Sequence, residues 1–187
     1  MAGVVLGIDP GSRGTGWAVV TLDKILGVGI VKAPGDKESS AQITMLRYSH
    51  LALESIFTRY RIELAVVEGQ QIKIGETKNP ESIKQLATVA GGIIGQIVSI
   101  DPNCKVINPD SDEWKGNQPK RVSQGRAFTH YGVLFEGRSD YMVPQGCATI
   151  ASVPGYGQLN PGDWRDVGDG LALALWGARL LASSCRP

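Results

Sequence analysis

Asp9, Glu68, Asp166 and Asp169 are the residues whose types and positions could do chemistry together. Asp9 ends the apolar run Val4-Val5-Leu6-Gly7-Ile8 and precedes Pro10-Gly11, which stop a strand; Glu68 ends the run from Ile62 to Val67 and precedes Gly69. If those strands are adjacent and parallel, both acids lie at one edge of the sheet. Asp166 and Asp169 are three apart at the start of a helix, so they share a face, and a helix N-terminus favours anions. Packing that helix on the sheet gathers four carboxylates. Such groups repel one another, and the usual reason to collect them is a divalent cation that prefers hard oxygen ligands: Mg²⁺, with Mn²⁺ able to substitute. Two such ions about 4 Å apart activate water and stabilise the leaving oxygen when a phosphodiester is displaced in line. Singly, each acid also suits a turn, a strand end or a cap. The ordered set of four carries the expectation of a nuclease, and Asp163 is read as a loop or capping acid.

Basic residues extend the pattern. Lys115, Lys120, Arg121 and Arg126 lie close in sequence around a helix start and could hold phosphates on either side of a scissile bond. Arg13 and Lys73 sit in the loops after Asp9 and Glu68, at the same edge, and are further DNA-binding candidates. Trp114 could stack on a base, although packing under a loop is the more ordinary role. His50 and His130 have no ligand-like spacing, and His130 reads as core or surface filler, so any metal falls to oxygen ligands.

The elements that must position these residues follow from periodicity and breakers. Val4–Ile8, Trp17–Leu22 and Ile25–Val31 form a three-strand meander, the last two joined through Asp23-Lys24. Ile43, Leu46, His50 or Leu51, Leu53, Ile56, Phe57 and Tyr60 recur at helical spacing over about 40–60. The strand Ile62–Val67 comes next. A helix from Asn79 to Val98 has Asn79 as its cap, Pro80 at its first position and a small face at Gly91, Gly92 and Gly95, suited to packing on the sheet or to a dimer contact. Cys104–Ile107 reads as a strand, Pro119 starts a helix toward Leu134, and Asp166–Leu181 is a strongly apolar last helix. Residues 136–165, with three prolines and five glycines, read as an irregular excursion. The order βββ-α-β-α-β-α with a final helix predicts an α/β protein of the ribonuclease H-like fold, a mixed five-stranded sheet flanked by helices.

Composition sets outer limits. The chain has 187 residues, 42% of them hydrophobic and 20% charged, which suits one nuclease domain over 1–187 with a single core. No apolar run approaches the roughly 20 residues that span a bilayer. Cys104, Cys147 and Cys185 are odd in number and widely spaced, which predicts reduced thiols and a cytoplasmic setting rather than disulfides or a zinc site. A formal charge of +1 neither demands nor excludes nucleic acid.

Three stretches then resemble the RuvC family of DNA junction resolvases. Gly7-Ile8-Asp9-Pro10-Gly11-Ser12, with Gly14-Thr15-Gly16-Trp17, is similar to its first motif; Val66-Val67-Glu68 is similar to its second; and Asp166-Val167-Gly168-Asp169-Gly170-Leu171-Ala172-Leu173-Ala174 is similar to its third. Asn79–Gly92 resembles the helix after the second motif, and Trp114-Lys115-Gly116 through Lys120-Arg121-Val122 resembles the basic segment that meets DNA, with Lys120 as the lysine nearest the active site. The resemblance implies four metal-binding acids at Asp9, Glu68, Asp166 and Asp169, about two Mg²⁺ ions per site, and a homodimer formed through the 79–98 helix. It implies paired cleavage of four-way DNA (Holliday) junctions, leaving 5′-phosphate and 3′-hydroxyl ends in DNA recombination and repair. The family often carries an aromatic residue shortly after the second-motif glutamate, whereas Gly69-Gln70-Gln71-Ile72-Lys73-Ile74 has none; Ile72 is the apolar candidate for opening a junction. The other classes left open are a nuclease for other branched DNA or RNA–DNA hybrids, a non-catalytic structure-selective DNA-binding module, and an actin-like ATPase.

Overall fold

The computed structural model describes residues 3–33, 41–69, 80–137, 141–145, 155 and 158–184. β1 (Val5–Asp9), β2 (Gly14–Val20) and β3 (Ile25–Lys32) form the antiparallel meander. β4 (Leu64–Val67) then pairs parallel with β1, and β5 (Lys105–Ile107) parallel with β4. The sheet order is β3-β2-β1-β4-β5.

Alternation along the strands sends successive side chains to opposite faces. On one face Leu6, Ile8, Val19, Ala65 and Val67 pack with α1 (Ala41–Arg59) and α2 (Pro80–Ile100). On the other, Val5, Ala18, Val20, Leu64 and Val66 pack with α4 (Lys120–His130) and α5 (Trp164–Ser184), α3 (Ser111–Trp114) lying between β5 and α4. Asp9 continues the Val5–Gly7 set and Glu68 the Leu64–Val66 set. Both acids therefore belong to the α5 face.

That helix comes unusually close to the sheet. A side chain at Gly7 would run into Gly170 O and Ala174, and one at Gly16 into the backbone of Asp166 and Val167. Glycine on the strands and small residues on α5 allow backbone to lie on backbone, and this draws the N-terminal turns of α5 to the end of β1. Phe128 of α4 stacks between Phe135 and Trp164, with centroid separations of 5.6 and 5.7 Å, tying α4 to the α5 start.

Several expectations need correction. The buried stripe of α1 is Met45, Ser49, Leu53 and Ile56, while Ile43 and Leu51 face outward at 50% and 61% exposure, so the helical period held but its phase was partly misplaced. α4 ends at His130 rather than near Leu134, and the short α3 was not foreseen. The 136–165 stretch is not wholly irregular: β6 (Phe135–Gly137) and β7 (Met142–Pro144) pair as an antiparallel ribbon, followed by a 3₁₀ turn at Pro161–Asp163. These strands are only three residues long, too short for alternation to register. The small face of α2 divides, because Gly92 lies against Leu46 of α1 whereas Gly91 and Gly95 have open space beyond them. Despite the reading of its sequence, α2 is long and apolar enough by length and hydropathy to cross a bilayer, with only part of that length buried here. Cys104 is a buried free thiol that burial pushes up to about 11; Cys147, Cys185 and Asn79 lie outside the described residues.

Candidate metal and phosphate site

Register brings the first two acids together. Ile8 pairs with Val67, and the Glu68 N–H donates to Ile8 O at 3.0 Å, which sets Glu68 beside Asp9. The loop after Asp9 is held by Thr15, whose hydroxyl lies 3.3 Å from both the N and the O of Gly11. α5 begins at Trp164, so Asp166 sits in its first turn and Asp169 in its second. Ligand oxygens of Asp9, Glu68 and Asp169 all lie within 4.8 Å of one another. Asp166 is not in that trio. It stands one turn earlier at the mouth of the same cleft, its side chain 34% exposed against 4% for Asp169.

Lys120, the first residue of α4, projects into the middle of the acids. Its Nζ is 2.7 Å from Asp169 Oδ2, 3.9 Å from Asp166 Oδ1 and 4.0 Å from Asp9 Oδ2. Lys115 Nζ is 3.5 Å from Glu68 Oε1 and 4.8 Å from the centre of the Trp114 ring.

The electrostatics follow from crowding. Burial, and then the Asp169 and Glu68 carboxylates, hold Asp9 well above the ordinary carboxylate range against the pull of Lys120. Burial also raises Asp169, opposed by Lys120 and Gln124, and raises Asp166, opposed by Lys120 and Arg165. For Lys120, burial works to lower the pKa, but Asp169, Asp9 and Asp166 together outweigh it and the net shift is upward. Three carboxylates whose oxygens converge within 4.8 Å of one another suit a divalent cation of hard oxygen preference. The cleft of about 480 Å³ is open and is lined also by Ser12, Arg13, Leu86 and Ser111.

A profile of the crossover junction endodeoxyribonuclease RuvC family matches residues 5–110, more than half of the chain. The chain belongs to the RuvC family. Relatives named as RuvC include that of Neorickettsia sennetsu, 33% identical over 99 residues covering 50% of this chain and 55% of the relative. That of Ehrlichia canis is 31% identical over 93 residues, covering 48% and 55%. The chain thus spans about half the length of these curated relatives. Among solved structures, Thermus thermophilus RuvC in complex with a Holliday junction substrate superposes with a TM-score of 0.68 at 17% identity, over 96% of both chains. A yeast mitochondrial Holliday junction resolvase gives 0.53 at 12% identity, over 95% of this chain and 82% of that one. At such identities the structural likeness shows the fold alone, the ribonuclease H-like α/β arrangement.

The RuvC profile reaches Asp9 and Glu68 but stops before Lys120, Asp166 and Asp169, so the latter three rest on their geometry. Of the other basic candidates, Arg13 and Lys115 line the cleft. Arg121 is exposed on α4 and does not line it. Arg126 points elsewhere: its Nη1 donates to Gln118 Oε1 at 2.6 Å, and it borders a separate groove with Trp176 and Arg179. Residues 120 and 126 are six apart, which turns their side chains roughly 120° away from each other around the helix. Lys73 and Ile72 lie outside the described residues. Asp163 is a capping acid, as read, accepting from Asn160 N at 3.0 Å and pairing with Lys32 at 2.6 Å. His130, exposed, lies 2.6 Å from Leu22 O at the far end of α4.

Two hydrogen bonds to the acids were not legible in the sequence. Trp114 is packed, as its ordinary role suggests, but its Nε1 also donates to Glu68 Oε1 at 3.2 Å. Gln124 is fully buried, and its Nε2 donates to Asp169 Oδ1 at 2.9 Å. Neither bond has a local sequence signal, since the partners are 46 and 45 residues apart.

Proposed function

We propose that this RuvC-family chain is a Mg²⁺-dependent endonuclease that cuts four-way DNA junctions by paired hydrolysis, leaving 5′-phosphate and 3′-hydroxyl ends. The observation that carries the reading is the convergence of Asp9, Glu68 and Asp169 around one point, with Lys120 among them and an open cleft in front. The named activity of its relatives and the junction bound to the Thermus thermophilus protein favour branched DNA over other phosphodiesters.

In this reading Asp9, Glu68 and Asp169 hold one cation, and Asp166 at the mouth contributes to a second. Bound there, such ions supply Lewis acidity toward a phosphodiester oxygen. The chain's own residues do the remainder. Lys120 is placed to neutralise charge on the phosphate beside Asp169, while Lys115 and Arg13, both lining the cleft, hold the backbone in register.

A two-fold dimer completes the proposal, because resolving a four-way junction requires equivalent nicks in two strands. α2 offers the face: Lys84, Thr88, Gly91, Gly95 and the 48%-exposed Val98 lie outward along it, and Gly91 and Gly95 permit close backbone approach.

The test is cleavage of labelled four-way junctions, other branched duplexes and RNA–DNA hybrids with Mg²⁺. The four-way junction is expected to be cut in paired fashion, with Asp9→Asn and Glu68→Gln binding it but reducing cleavage by at least about a thousandfold. Ca²⁺ is expected to support binding without efficient turnover, since its longer, looser coordination suits the in-line arrangement poorly. Near-normal turnover in either variant removes the site; equal cutting of hybrids or simple branches moves the reading to a broader nuclease.

A further inference from the structure

Gln124 lies one turn after Lys120 on α4, and the roles assigned above do not require it. Its amide bonds to two further elements. The Met142 N–H, at the start of β7, donates to Oε1 at 2.8 Å; Nε2 donates to Arg165 O at 3.1 Å and to Asp169 Oδ1 at 2.9 Å, both on α5. The orientation of this amide is determined by its partners. A backbone N–H can only donate, so the amide atom facing Met142 is oxygen, and the two N–H groups are left for a carbonyl and a carboxylate, which accept. The amide also lies close against α5 at Gly168, where a Cβ would come within 2.8 Å of Gln124 Cδ. Asp169 consequently has Oδ1 engaged by a neutral donor, and its Oδ2, 2.7 Å from Lys120 Nζ, faces the acid cluster.

We propose that Gln124 is a positioning residue that holds Asp169 with one carboxylate oxygen turned toward the cation site, and that Met142 makes the β6–β7 ribbon the part of the fold that orients it. The inference rests on the metal-dependent reading of the acid cluster. A neutral amide suits the task because it fixes the carboxylate without cancelling the charge that attracts the cation. The ribbon, at residues 135–144, lies beyond the segment matched by the family profile, so this link belongs to the part of the chain that the tertiary structure alone describes.

The experiment is direct Mn²⁺ titration of the full chain without DNA by calorimetry, alongside the Mn²⁺ concentration for half-maximal junction cleavage. Gln124→Met keeps the volume and removes the donor. It is expected to weaken Mn²⁺ binding and raise the half-maximal concentration by about tenfold or more, with junction affinity and the rate at saturating Mn²⁺ altered far less. Met142→Pro leaves Gln124 in place and removes the N–H that aligns it; proline is tolerated at the first residue of a strand, and the same shift in Mn²⁺ affinity is expected. Wild-type affinity in a cooperatively folding Gln124→Met protein overturns the proposal. If that variant does not fold, Met142→Pro decides, weaker binding supporting the link and unchanged binding overturning it. Failure of the wild-type chain to bind Mn²⁺ overturns the metal reading itself, and this inference with it.

Discussion

At the scale of single residues, the proposed function gives Lys120 two roles, neutralising the acids and meeting the phosphate, and they separate under substitution. Its ammonium is the closest cation to Asp169, and it also lies within 4.0 Å of Asp9 and Asp166. Removing it leaves the carboxylates facing one another with less compensation. Lys120→Ala is expected to lower the melting temperature of the metal-free protein, with added Mg²⁺ restoring most of the difference, because the cation takes over the neutralising role. Cleavage at saturating Mg²⁺ is expected to stay about a hundredfold down, and the salt dependence of junction binding to weaken by about one counterion. An unchanged rate and salt slope would return Lys120 to a purely structural ion pair.

The helix α2 shows why an element must be read with its neighbours. Its apolar residues exceed what a one-sided amphipathic helix needs, which points to an interface, but individual positions have different fates. Ile93 is 1% exposed and belongs to the core with Met45 and Val67. A charge there unfolds the chain rather than splitting a dimer, so Ile93 cannot serve as an interface probe; even Ile93→Ala is expected to cost about 2–5 kcal/mol in denaturant unfolding. Gly91 is the better probe, since a side chain there meets nothing within 4 Å. In an isolated helix face, Gly91→Ala would stabilise by up to about 1 kcal/mol. If α2 is the dimer contact, Gly91→Glu is expected to give folded monomers in sedimentation that lose paired cleavage. A dimer unaffected by Gly91→Glu would move the contact off this face.

For the molecule as a whole, the acid cluster couples stability to pH and metal. Asp9, Asp166 and Asp169 have raised pKa values in the folded chain, mainly through burial. They therefore hold protons in the folded state at pH values where the unfolded chain has released them, and the metal-free protein loses stability as pH rises from about 4 through the raised values. The upward shift of Lys120 acts only above its ordinary 10.5 and leaves the neutral range unchanged. A divalent cation replaces those protons, so the gain in melting temperature on adding Mg²⁺ is expected to grow as pH rises above the ordinary carboxylate range of about 4. A gain independent of pH would mean that the cation does not bind at these acids.

Local pattern in the sequence was enough for the five strands of the main sheet and the long helices, and it singled out the acids as candidates. Apolar runs stopped by Asp9-Pro10-Gly11 and Glu68-Gly69 mark strand ends, and adjacency of the two strands would put both acids at one sheet edge; their common face is set by the β1–β4 register, which pairs Ile8 with Val67. The Asp166/Asp169 spacing is legible for a different reason, since residues three apart share one face of a helix. Three-residue strands such as β6 and β7 carry too few positions for a period, and the phase of α1 was settled by what covers it rather than by its own apolar residues. The tertiary structure alone decided that three acids converge while Asp166 stays at the mouth, that Lys120 enters the cluster while Arg126 turns away, and that Trp114 and Gln124 hold Glu68 and Asp169. Those relations depend on how closely α5 can approach Gly7 and Gly16 and on bonds between residues more than forty positions apart, and no local periodicity encodes a partner across that separation.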